Sequence, residues 1–111
     1  MAVYQDIAAY AGDTWDHVTV VRKTSGVADN LTGYTAKMTV RRADNELAAE
    51  YTSDASDLII TALEGKAALA IPASKTKLDA GIYKYDLQIT NGTIVRTLIQ
   101  GRLVVTGEVT L

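Results

Sequence analysis

Apolar and polar residues alternate with a period of two along most of this 111-residue chain. That period belongs to half-buried β-strands. The cleanest run is Tyr34–Arg42, with Ala36, Met38 and Val40 on one face and Lys37, Thr39 and Arg41 on the other. Ile82–Thr90 repeats the pattern, setting Tyr83, Tyr85, Leu87 and Ile89 against Lys84, Asp86 and Gln88. Leu47–Thr52 alternates through Leu47, Ala49 and Tyr51, and Val3–Tyr10, Trp15–Lys23, Leu58–Leu63 and Ala67–Ile71 are further extended runs. Turn chemistry separates them: Ala11-Gly12-Asp13, a loop from Thr24 to Gly33, Ala43–Glu46, the polar stretch Ser53–Asp57, and Glu64-Gly65-Lys66. Pro72 ends its strand because it has no N–H for a ladder. Asn91-Gly92 predicts a two-residue hairpin, since both positions tolerate a positive φ. Only residues 74–80 have helical character: a single turn, capped by Ser74 and ended by Gly81.

The last strand, Thr93 to about Val105, departs from simple alternation. Ile94 and Leu98 share one parity and Leu103 and Val105 the other, so a β-bulge is expected at Gly101. Val95, Ile99 and Val104 then make the opposite face apolar as well. Either these residues serve strand propensity on a wet face, or another subunit or the N-terminal strand covers them. Val3, Tyr4, Ile7 and Tyr10 would be free to join such an interface, which makes residues 1–11 a candidate docking strand or arm. The remaining chain, and the whole of 1–111, reads as one domain.

Short strands at regular spacing predict an all-β fold. The expected form is a two-sheet, antiparallel, immunoglobulin-like β-sandwich of about seven to eight strands, with an open barrel sharing the same alternation. Leu78-Asp79-Ala80-Gly81-Ile82-Tyr83 carries the most specific signal. A short acidic turn ends in Gly, and a Tyr follows two residues later, as in the tyrosine corner of such sandwiches. Asp79, Gly81 and Tyr83 are the expected structural corner, and Tyr85 stands where an antibody domain carries its second disulfide cysteine.

Composition narrows the chemistry. There is no cysteine, so disulfides, thiolate zinc sites and thiol catalysis are excluded. Net charge is −2, with acids and bases mixed along the chain, which gives no electrostatic footprint for nucleic acid. Met1 to Tyr10 lacks a basic n-region and does not read as a signal peptide. No apolar run approaches the ~18–20 residues of a membrane span. The single histidine, His17, has no nucleophile on a strained turn to serve and reads as a surface or rim residue. Asp54 and Asp57 sit in a loop too sparse in oxygens for calcium. Tyr51, Tyr83 and Tyr85 fall on inward positions, so core use outweighs a sugar platform for them. No catalytic, cofactor-binding or metal residue is expected, and no small-molecule substrate.

Several segments in this order resemble the small β-sandwich proteins of tailed-bacteriophage virions, found in tail, baseplate and fibre-connector components. They are Gly12-Asp13-Thr14, Leu31-Thr32-Gly33-Tyr34 leading to Val40-Arg41, Gly81–Leu87, Asn91–Gly101, and the close on Val104-Val105 and Val109-Thr110. The resemblance implies a non-enzymatic structural protein of the virion. It would dock to other virion proteins and to copies of itself in a symmetric assembly. A capsid decoration or head-fibre base protein is the alternative within that class, and a carbohydrate-binding module the alternative outside it.

Overall fold

The computed structural model describes residues 3–107. Among them lie eleven strands: β1 Val3–Tyr4, β2 Ile7–Tyr10, β3 Thr19–Val21, β4 Lys23–Thr24, β5 Val27–Ala28, β6 Thr35–Arg41, β7 Leu47–Thr52, β8 Leu58–Thr61, β9 Lys66–Leu69, β10 Gly81–Thr90 and β11 Val95–Thr106. One sheet runs β1-β11-β10-β6-β7, with β2 also on β11; the other runs β3-β9-β8. The fold is a β-sandwich. Its order, β7-β6-β10-β11 facing β3-β9-β8, is that of immunoglobulin-like sandwiches.

The alternation explains why the sheets close on each other. Ala36, Met38 and Val40 from β6, and Tyr83, Tyr85, Leu87 and Ile89 from β10, are buried in one core with Leu58, Ala67 and Leu69 from the facing sheet. Trp15 closes one end of this core. Its backbone bridges Ile71, its indole N–H donates to the Tyr10 carbonyl at 2.9 Å, and its ring meets Tyr51 edge-on at 6.2 Å. Fully buried side chains such as Trp15, Met38, Ile71 and Leu103 each contribute roughly 1.5–3 kcal/mol by leaving water.

Several expectations need correction. The sandwich is not wholly antiparallel: β1 and β2 pair with β11 in parallel. Val3–Tyr4 and Ile7–Tyr10 of the expected docking arm are therefore part of this chain's own sheet. The bulge lies three residues before Gly101. Leu87 pairs with Ile99 but Gln88 with Thr97, so Leu98 is the extra residue. Ile99, not Leu98, then continues the inward series through Leu103 and Val105, while Leu98 is buried beside it. A second irregularity, between Val40 and Arg41, turns Leu47 outward, although alternation had placed it inside.

Turns differ as well. Thr90 pairs with Val95, so the connection at Asn91-Gly92 is a four-residue loop. The Asn91 side-chain oxygen holds it by accepting from the N–H groups of Thr93 and Ile94 at 3.1 and 2.8 Å. The two-residue turn with positive φ occurs instead at Ser25-Gly26, between β4 and β5, inside the expected loop. Helical turns fall at Ala73–Lys75, a shorter span than the expected 74–80, and at Ala62–Glu64, the tail of an expected strand.

Candidate functional site

The corner and the outer face of the six-stranded sheet meet at the start of β10. Tyr83 is buried, and its hydroxyl donates to the Asp79 carbonyl at 2.6 Å. Gly81 has φ 158°, an extended backbone that opens β10. Thr76 anchors the approach from below, donating to the Asp13 carbonyl at 2.6 Å.

The N-terminal segment is fastened by side chains from the same two strands. The Tyr85 hydroxyl donates to the Gln5 carbonyl, and the Gln5 N–H donates to the Gln100 carbonyl at 2.8 Å. Gly101 lies directly under this crossing, where any Cβ would collide with the Gln5 backbone. Its lack of a side chain is a close-approach requirement, not the mark of a bulge. The Asp6 carboxylate then takes the Arg102 N–H at 3.1 Å and the Arg102 guanidinium at 2.9 Å. These hydrogen bonds hold Asp6 below the usual carboxylate range. Burial pushes the Tyr85 hydroxyl up to about 12, reinforced by the Asp6 charge.

This clasp decides the fate of the expected interface residues. Ile7 pairs with Leu103 and shares its inward parity, so it is 4% exposed; Ile99 is 2% exposed for the reason given above. Neither can contact a partner. Tyr4, Tyr10, Val95 and Val104 are exposed. Val3 pairs with Ile99 in β1, and its side chain lies outside the described residues.

Register orders the outer face into rows. Ile82 of β10 pairs with Val104 of β11, which pairs with Ala8 of β2, and Tyr10 follows on that strand. Ile82 is 59% exposed, Tyr10 55% and Val104 37%. Sequence reading missed Ile82, although its alternation with Tyr83 marks it as outward. The next row is Arg41, Lys84 and Arg102, and the one after it Thr39, Asp86 and Gln100, ending on Tyr4. These two rows line an open groove of about 570 Å³. Partial burial raises the Asp86 pKa, against the opposing fields of Arg41 and Lys37.

The remaining candidates are structural. His17 is exposed, with Nε2 at 3.0 Å from the Ala8 carbonyl. Asp57 is buried and held by the Lys75 ammonium at 2.9 and 3.1 Å, which ties the Ser53–Asp57 loop to the turn before the corner. Among the described residues no cluster of three His, Cys, Asp or Glu could hold a metal ion.

No protein-family model matches the chain, and no curated protein matches it. Among solved structures it is similar to CopC from Methylosinus trichosporium OB3b, at 9% identity and a TM-score of 0.42, over 88% of this chain and 98% of that one. A likeness at that level carries nothing about function.

Proposed function

We propose that this chain is a non-enzymatic docking module that binds protein partners through the outer face of its six-stranded sheet. The observation that carries the reading is the apolar row Ile82, Val104 and Ala8, extended by Tyr10, on a face that alternation should leave polar. Exposed apolar side chains grouped in this way mark interaction sites more often than scattered ones do. A tailed-phage particle is the setting we propose, in which several copies occupy symmetric positions against other virion proteins. That setting rests on the sequence resemblance alone.

Incorporation tests it. An Ile82→Lys/Val104→Lys variant should keep the wild-type circular dichroism spectrum, because both side chains already face water. Tagged wild-type chain should co-sediment with particles purified from the host that carries the gene, and the variant should stay in the soluble fraction. Equal incorporation of the folded variant would remove the apolar row from the docking surface. Absence of the wild-type chain from particles would remove the virion setting.

A further inference from the structure

We propose that the groove over Asp86 is a binding site for a neutral oligosaccharide. It occupies the middle of the outer face, beside the apolar row, and does not rest on the docking reading. β10 supplies Lys84 and Asp86, β6 supplies Thr39 and Arg41, β11 supplies Gln100, and Tyr4 stands at the rim. Neighbouring strands lie about 4.7–4.9 Å apart, so these side chains share one space.

Among the described residues, two charged groups there have no partner, while Arg41 gives one N–H to the Asn45 carbonyl at 3.1 Å. These are Asp86 and Lys84, whose side chains form no hydrogen bond or ion pair with any described residue. Their neighbours Arg102 and Lys37 are engaged with Asp6 and Glu50. Asp86 is partly buried, yet among the described residues no hydrogen bond replaces the water it loses, and only the fields of Arg41 and Lys37 oppose that loss.

The mixture of charges selects the ligand. A cation entering the groove would meet Arg41 and Lys84, and an anion drawn to them would also meet the Asp86 carboxylate in the next row. A hydroxyl suits both, since it donates to a carboxylate and accepts from an ammonium or guanidinium. Two hydroxyls on adjacent carbons can do both at once, which is the arrangement on a pyranose ring. Tyr4 is 65% exposed and offers an aromatic ring against which the apolar face of a sugar can lie. The groove is also within the common size range of small-ligand sites, about 300–1,000 Å³.

The test uses the full chain. A glycan array of neutral plant and bacterial oligosaccharides is screened first, with maltohexaose, cellohexaose and the hexamer of N-acetylglucosamine included. The strongest binder is then titrated into 15N-labelled protein. Saturable shifts are expected at the amides of Tyr4, Lys84, Asp86, Gln100 and Arg102. Asp86→Asn should weaken binding on the order of tenfold, the scale of one lost charged hydrogen bond. Tyr4→Ala, which removes the ring, should weaken it as well, and both should keep the dispersed spectrum of a folded chain. Ile59→Lys, on the opposite sheet, should leave binding unchanged. No binding anywhere on the array overturns the proposal. So does binding that survives both groove variants, or shifts confined to the Ile82–Val104 row.

Discussion

Two neighbouring tyrosines on β10 solve the same problem over very different distances. Tyr83 donates to the Asp79 carbonyl, four residues away, and Tyr85 donates to the Gln5 carbonyl, eighty residues away. Each buries its ring and gives its hydroxyl a backbone acceptor, so neither leaves an unpaired donor in the core. The corner at Tyr83 is local: one turn of chain and one hydrogen bond. The clasp at Tyr85 needs three other devices, namely a bare Gly101, the Gln5 bond to β11, and the Asp6–Arg102 pair. A contact closed between distant parts of the chain must offset more loop entropy, and here it is built from more parts.

Removing the rings should have the largest effect. Tyr83→Ala and Tyr85→Ala each delete a buried aromatic and should cost about 3–5 kcal/mol, read as a fall in the denaturant midpoint. Hydrogen exchange separates the two. Tyr85→Ala should deprotect Ile7 and Ala9 selectively, whereas Tyr83→Ala should loosen residues 79–83. Identical exchange maps would mean that corner and clasp are one cooperative unit.

Gly101→Val tests the clasp without touching either tyrosine. Its side chain would strike the Gln5 backbone, which cannot swing away as a flexible side chain would. A loss of about 1–3 kcal/mol is expected from overpacking, with the N-terminal strand again the deprotected segment. Full stability in this variant would show that the Gln5 crossing is loose.

Deleting single hydroxyls should cost less. Tyr83→Phe and Tyr85→Phe each remove one hydrogen bond, worth roughly 0.5–1.5 kcal/mol net, and more where the acceptor is left buried. Equal midpoints for wild type and both variants would reduce the tyrosines to packing alone.

The smallest effect is a pH dependence. Tyr85 and Tyr51 are pushed up to about 12 by burial, against an ordinary 10. Their folded forms hold the proton longer than the unfolded chain does, so their contribution is complete below pH 10 and declines as pH rises from 10 towards 12. Asp6 has the opposite sign. Its lowered pKa makes the Asp6–Arg102 contribution complete above the unfolded carboxylate value of 3.8, and it is lost as pH falls through the folded one. Tyrosinate absorbance should show a late-titrating component, and Tyr85→Phe should shrink it. A late component that Tyr85→Phe leaves unchanged would mean that Tyr85 is wetter than its burial implies.

The sequence by itself determined what depends on nearby residues. Period-two alternation placed β6 and β10 and their inward side chains, because each strand residue faces opposite to its neighbour. The corner was legible because the turn, the Gly and the Tyr lie within five consecutive residues. Tertiary structure decided what depends on pairing. Which residue bulges in β11 is set by its register against β10, so Gly101 could be mistaken for the bulge when it is the seat of Gln5. The parallel docking of β1 and β2 brings together the two ends of the described chain, and with it the burial of Ile7 and the Asp6–Arg102 pair. The groove has the same origin: Tyr4, Arg41, Asp86 and Gln100 come from four strands. No local pattern records that they share a face, because alternation says which way a side chain points and only strand order says what stands beside it.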